Sequence, residues 1–229
     1  MLTVTNLTKT YGRQVIFDNV SFMINPGERI GLAGRNGSGK TTLLKLILNE
    51  EESDSGDISI PKNYGIRHLS QHISFTENSV LKEACLNLKA RDDGSDETYK
   101  AKSILFGLGF TSYELDANPG ILSGGYQVRL NLAKILVSEP NFLLLDEPTN
   151  YLYIVSVRWL IQFLRNWRNE LIVVTHDRAF MDAITTHTMG IHRQKIRKIA
   201  GSTEKLYQQI LQDEEVYEKT RTNDERKRK

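Results

Sequence analysis

Two carboxylates and a glycine-rich loop are the residues in this sequence whose types and spacing can do chemistry. Asp146 and Glu147 stand together directly behind an apolar run, in LLLDEPTNYLYI (Leu143 to Ile154). An ionised carboxylate is a costly neighbour for a buried strand unless a cation or a reaction needs it there. Far upstream, GRNGSGKT (Gly34 to Thr41) has the spacing G-x-x-x-x-G-K-[ST]. Glycines so placed let backbone N–H groups curl around phosphate oxygens, and the start of the next helix adds its positive dipole. Lys40 is expected to reach β- and γ-phosphates, and the Thr41 hydroxyl to bind Mg²⁺. Beside such a loop, Asp146 would hold the magnesium shell. Glu147 points elsewhere and would orient or deprotonate the attacking water.

These residues need elements to position them. Residues 2 to 33 read as strands: LTV, then QVIFDNVSFMI, then ERIGLA after the turn Asn25-Pro26-Gly27. A helix apolar on one face is expected from Gly39 through TTLLKLILNE, so the phosphate loop lies between a strand and a helix. The turn-rich EESDSGD leads to short strands ISI and YGIRHLS. Residues 77 to 136 then turn helical, broken by RDDGSDET and Asn118-Pro119-Gly120. Beyond them strand and helix alternate: NFLLLD, YIVSVRWLIQFLRNW, ELIVVT and DRAFMDAI. Apolar strands alternating with helices predict a parallel sheet covered on both faces. HTMGIH and KIRKIA close the core, and a charged helix starts at about Ser202.

At 229 residues, 39% hydrophobic and 25% charged, the chain is long enough to bury a core as one subdivided domain. No run of 18 apolar residues offers a membrane-spanning helix. The start MLTVTNLTKTYG alternates like a strand and lacks a signal peptide's apolar centre. Cys85 is the only cysteine, which rules out an internal disulfide, suits a reducing cytoplasm and reads as a small buried hydrophobe. A net charge of +2 does not by itself point to nucleic acid, and the terminal NDERKRK reads as a solvated helix face.

At LSGGY (Leu122 to Tyr126) the phosphate loop and the acid pair stop being generic. The sequence resembles the ATP-binding cassette (ABC) ATPases, whose signature is LSGGQ. GRNGSGKT, Gln71 in HLSQ, LSGG, LLLDEP and His176 in VTHD occur in that family's order across essentially the whole chain. DEPTNYL, Arg129 in GGYQVRLNLAKIL, THDRAFMD and GSTEKLYQQ look most like the F subfamily, soluble two-cassette proteins that act on ribosomes.

The resemblance implies an α/β P-loop NTPase of the ABC-cassette type, with an N-terminal antiparallel β subdomain and an inserted helical signature subdomain. A single nucleotide-binding domain would span 1–201, its helical subdomain about 77–136. Residues 202–229 would begin an inter-cassette linker, so the chain reads as the N-terminal half of a longer protein. Tyr11 would stack on adenine. Gly34, Arg35, Asn36, Gly37, Ser38, Gly39, Lys40, Thr41 and Thr42 would wrap the phosphates of ATP. Thr41, Gln71 and Asp146 would hold Mg²⁺, with Glu147 and His176 catalytic. Ser123, Gly124 and Gly125 would cap the ATP of a second cassette, in the same full-length chain or in a weak homodimer. His68, His72, His187 and His192 are left as structural.

The implied activity is a Mg-dependent ATPase, weak in an isolated cassette, that gates a clamp on the ribosome and its RNA in the cytoplasm. The fragment itself is expected to be monomeric. A transporter's energising subunit is the alternative, since it shares every nucleotide motif. A DNA-repair or chromosome-organising clamp is a further rival, which a single cysteine disfavours in its zinc-bearing form. Two positions depart from the family pattern. Tyr126 stands where many members have Gln. Tyr153 replaces the aspartate of DEPTN-x-L-D, which helps join two composite sites. Tyrosine is uncharged near neutral pH and bulkier. ATP binding is therefore expected to survive, with closure or communication between sites weakened, or with this site built to hold ATP rather than turn it over.

Overall fold

The chain opens with two long antiparallel strands, β1 (Leu2–Tyr11) and β2 (Gln14–Ile24), paired from Leu2↔Ile24 to Tyr11↔Gln14. They belong to a computed structural model that describes residues 1–69, 73–88 and 97–227, with side chains through 215. Gln71 and His72 lie outside the described residues. β3 (Arg29–Gly34) follows the expected turn, where Gly27 takes φ +74 and the Glu28 N–H donates to the Asn25 carbonyl at 3.1 Å. α1 (Lys40–Ile47) stops sooner than TTLLKLILNE predicts, because Asn49 turns left-handed at φ +57 and ends the helix. β4 (Ser55–Ser59) pairs with the free edge of β1, giving a three-stranded antiparallel sheet ordered β2-β1-β4.

β5 (Ile66–His68) is much shorter than YGIRHLS suggests. After it come α2 (Val80–Cys85), α3 (Thr98–Gly107) and α4 (Gly124–Val137), with short 3₁₀ turns at Ser112–Asp116 and Pro119–Ile121. Then strands and helices alternate through β6 (Phe142–Asp146), α5 (Ile154–Arg165), β7 (Glu170–Val174) and α6 (Arg178–Ile184). β8 (His187–His192), β9 (Lys195–Ala200) and α7 (Thr203–Lys227) close the described chain. The second sheet is ordered β5-β6-β7-β3-β8-β9, parallel except that β9 returns antiparallel beside β8.

Continuous apolar strands follow from a sheet buried on both faces. Along β6, Phe142 and Leu144 enter one core with Ile172 and Val174 of β7, Ile30 and Leu32 of β3, and the buried face of α1. Leu143 and Leu145 point the other way, into a core with Leu171 and Val173, α5, α6 and helices α2 to α4. One strand thus glues two layers together, and the small β1-β2-β4 sheet covers the first core.

The helices that carry the LSGG segment are fixed by a buried ion pair. Glu83 on α2 has no side-chain exposure and meets the Lys134 ammonium of α4. Its other oxygen accepts the N–H groups of Thr76 at 2.9 Å and Glu77 at 2.7 Å. Burial alone would raise this carboxyl, but Lys134 and the two N–H donors hold it below the usual range. Its stabilisation is therefore present above the ordinary glutamate pKa and is lost as pH falls through the depressed one. Glu83→Ala strands Lys134 in a nearly buried site and is expected to cost about 3 kcal/mol, read as a lower denaturant midpoint at unchanged slope.

Candidate functional site

β3, β6 and β7 end side by side, with Asp146 of β6 level with Val174 of β7. In open parallel sheets, ligands bind in the crevice beyond such carboxyl ends. The phosphate loop leaves the end of β3, and its glycines are set by backbone angle at Gly37 and by both angle and space at Gly39. Gly39 sits at φ +105 before α1, where a Cβ would lie 2.5 Å from Ile16 Cγ2 and 3.0 Å from Phe17 Cζ. Gly37, at φ +75, faces open space and leaves a concave wall of backbone with the exposed Arg35 and Asn36. Lys40 folds its ammonium back onto the loop, donating to the carbonyls of Gly34 at 2.8 Å and Arg35 at 3.1 Å. The Ser38 hydroxyl is buried without a partner, an orphan donor that a phosphate oxygen in the loop would satisfy. Thr41 lies exposed in the first turn of α1, with the half-buried Thr42 next to it.

Tyr11 stands at the end of β1, half-exposed, with its hydroxyl bonded to Glu51 beyond α1. Lys9 pairs with the same carboxylate at 3.0 Å and lies 5.1 Å from the Tyr11 ring centre. The Tyr11 hydroxyl first, then Lys9, holds the Glu51 carboxyl below its usual range. The ring is therefore anchored at its edge and offers a face, as stacking on a flat base requires. Glu51 had no signal in the sequence, because only the β1-β4 pairing brings it to Tyr11.

Beyond β6 the chain turns sharply at Glu147, whose φ is +48, a strained angle for a non-glycine residue at roughly 1–3 kcal/mol. The strain is held by three bonds. Its N–H donates to the Val174 carbonyl at 2.8 Å, and its carboxylate accepts the His176 N–H at 3.0 Å and the Thr175 hydroxyl at 3.1 Å. His176 Nε2 stands 3.7 Å from the same carboxylate. Gly34, Lys40, Glu147 and His176 together line a cavity of about 150 Å³. Thr175, Arg178 and Tyr207 line it too, and sequence reasoning missed all three. Tyr207 comes from α7, which is seated on α6 through Arg178, 4.7 Å from the Tyr207 ring, and through Thr203, whose N–H and hydroxyl both donate to Asp182 at 2.9 Å.

Asp146 is half-buried, and its carboxyl is raised by burial first and by Glu147 second, while Lys40 and His176 pull it down. A cation would relieve both causes, so the donor set of Asp146 and the Thr41 hydroxyl fits a hard ion such as Mg²⁺ that keeps phosphate and water ligands. Among the described residues no cluster of three acidic, His or Cys side chains forms a closed metal cage. Gln71, the third expected ligand, lies outside the described residues. Ser123 caps the start of α4 without a side-chain bond, and Gly124 follows it, exposed. Ser123, Gly124 and Gly125 do not line the cavity. Tyr153 is the residue before α5, well exposed and away from it as well. His187 bonds Thr186 and faces Glu28, His192 faces Glu214 and His68 faces Glu50.

Comparison with known proteins gives a family and a fold. The family described as "ABC transporter" matches residues 17–150. The chain is 33% identical to "Probable ATP-binding protein YheS" of Escherichia coli K12, over 88% of this chain and 36% of that protein. It is 34% identical to "Tylosin resistance ATP-binding protein TlrC" of Streptomyces fradiae, over 83% of this chain and 42% of that one. With "ATP-binding cassette sub-family F member 3" of Rattus norvegicus the identity is 30%, over 94% and 35%. The chain thus spans little more than a third of the length of most of these relatives. Among solved structures, an ATP-binding subunit of an ABC transporter superposes with a TM-score of 0.73 at 21% identity, covering 92% of this chain and 93% of that one. A dimeric ATP-binding cassette in a post-hydrolysis state with ADP and Pi gives 0.70 at 23% identity, covering 87% and 98%. The fold is therefore that of an ABC cassette.

Two outcomes follow from the site's electrostatics and packing. Because Asp146 is raised, ionising it costs the folded state, and its contribution to stability is lost as pH rises from the ordinary aspartate range through the raised one. Asp146→Asn is expected to raise the melting temperature of the nucleotide-free chain at neutral pH. A melting temperature that falls would show that Asp146 is stabilised by something else. Gly39→Ala places a methyl against Ile16 and Phe17 at a left-handed angle. It should weaken binding of a fluorescent ATP analogue by about tenfold or more.

Proposed function

The chain belongs to the ABC transporter family of ATP-binding cassettes, and on that premise we propose that it is the ATP-hydrolysing cassette of an F-type member, working as an ATP-gated clamp on the ribosome. The observation that carries the hydrolytic part is the Glu147 carboxylate, held by the Thr175 hydroxyl and the His176 N–H in a cavity shared with Lys40. The F-type part is supported by DEPTNYL and THDRAFMD and by similarity to a sub-family F member. The tylosin-resistance relative is consistent with a role at the ribosome in antibiotic tolerance. No described helix is long and apolar enough to cross a membrane, and we place the protein in the cytoplasm.

Tyr11 stacks on the adenine while Gly34 to Thr42 wrap the phosphates. Lys40 exchanges the carbonyls of Gly34 and Arg35 for β- and γ-phosphate oxygens, a charge-assisted gain of the kind a resting lysine can make. A magnesium ion, held by Thr41, Asp146 and Gln71, would neutralise phosphate charge. Glu147 takes a proton from a water aligned with the γ-phosphorus, and His176 donates to a γ-phosphate oxygen. As the new P–O bond forms, the bond to the bridging oxygen of the β-phosphate breaks, leaving ADP and phosphate. Ser123, Gly124 and Gly125 serve the ATP of a second cassette. That partner lies in the same full-length chain or in a weak homodimer, which makes a lone cassette a slow enzyme. Residues 1–201 form the nucleotide-binding domain, and 202–229 lead into a linker helix that carries the conformational output.

Glu147→Gln removes the base and keeps the shape. Turnover is expected to fall by about 100-fold or more while ATP still binds. In the full protein the same change should hold the clamp shut, so that it co-sediments with ribosomes in ATP and not in ADP. No ribosome binding with ATP firmly bound would turn the reading to a transporter's energising subunit.

A further inference from the structure

Both departures from the family's sequence pattern meet at one buried arginine. Arg129, on the second turn of α4, is 4% exposed, and its guanidinium carbon lies 4.6 Å from the Tyr126 ring centre and 4.5 Å from that of Tyr153. Its Nε donates to the Tyr151 carbonyl at 2.8 Å, and its Nη1 is buried with no hydrogen-bond partner. A guanidinium cannot shed its charge, so one this dry needs compensation, which two flanking π faces supply. Tyr126 is itself fixed, edge-on against Phe110 at 5.1 Å. Tyr153 is 65% exposed and forms the outer plate.

The loop that carries Tyr153 needs such a fastening. Tyr151 takes φ +66, a left-handed angle that a bulky residue keeps only when its surroundings impose it. The Asn150 N–H donates to the Glu147 carbonyl at 3.1 Å, so the loop continues directly from the catalytic carboxylate. The side chain of Tyr151 would sit 3.5 Å from a Cβ at Gly125 of the signature.

We propose that Tyr153 is a positioning residue: with Tyr126 it flanks the Arg129 guanidinium and locks the loop after Glu147 to the signature helix of the same chain. The proposal rests on the cassette reading, in which these two strips face a second cassette, and makes them move as one piece. Where the family's aspartate ties two cassettes together, this tyrosine ties two parts of one cassette. The aromatic residue at 126 belongs to the same device.

The test compares the parent chain with Tyr153→Phe, which keeps the ring, and Tyr153→Leu, which keeps apolar bulk without a π face. Position 153 is exposed, so both variants are expected to fold. Amide hydrogen exchange at Leu152, bonded to the Thr149 carbonyl, and at Gln127, bonded to that of Ser123, reads the two strips directly. Leu should speed both by about tenfold and Phe should stay within about twofold of the parent. In ATP turnover Leu should lower kcat by about tenfold with KM within about twofold, and Phe should restore it. Unchanged exchange at Gln127 in the Leu variant, or a Phe variant as fast as Leu, overturns the lock. An unchanged kcat in the Leu variant overturns its positioning role. A parent chain that binds no ATP would sink the proposed function instead, and the exchange rates would still decide the lock.

Discussion

A strand buried on both faces can carry a charge only where it ends, and this constraint sets the site. β6 and β7 have apolar side chains on both faces, in two separate cores, and β3 adds Ile30 and Leu32 to one of them. Their polar groups are therefore pushed to one edge: the phosphate loop after β3, Asp146 and Glu147 after β6, Thr175 and His176 after β7. Pairing in register then fixes how these groups meet. Asp146 is level with Val174, and the Glu147 N–H bonds the Val174 carbonyl, so the second carboxylate is delivered to the His176 backbone.

At that edge the two neighbouring carboxylates are given different surroundings. Asp146 is raised by burial and by its neighbour, which leaves it in want of a cation. Glu147 is turned by its left-handed backbone onto a hydroxyl and an N–H, which orient its oxygens. Adjacent residues of the same charge class are thus set apart by backbone angle rather than by sequence distance. Lys40, paired with loop carbonyls rather than with either acid, keeps the loop closed with its only ammonium.

The helical layer answers to the same edge from farther away. Glu83 and Lys134 hold α2 against α4, and Arg129 of α4 reaches the loop that continues from Glu147. On the opposite side, Thr203 and Tyr207 bring α7 to α6, which starts just after His176. The LSGG helix is therefore joined to the loop that continues from Glu147, and α7 reaches the cavity wall itself through Tyr207.

Much of this was legible in the residues. G-x-x-x-x-G-K-[ST] needs only local backbone, because glycines and a following helix N-terminus make the phosphate cradle wherever they occur. The continuous apolar runs NFLLLD and ELIVVT, with helices between them, implied a parallel sheet covered on both sides. Boundaries were less legible: α1 ends at a left-handed Asn49, and β5 keeps three residues, since pairing with β6 rather than propensity sets its length. Glu51 under Tyr11, Thr175 on Glu147 and Tyr207 in the cavity wall had no signal, because each contact joins segments distant in sequence. Tyr153 is the sharpest case. By type and position it was an uncharged residue in place of an acid, and only the packing of α4 against the loop shows it over a buried Arg129. The residues alone pointed to the chemistry proposed for the chain, because that rests on side-chain types within short motifs. Tertiary structure alone decided which side chains hold those residues in place, because burial and pairing depend on the whole fold.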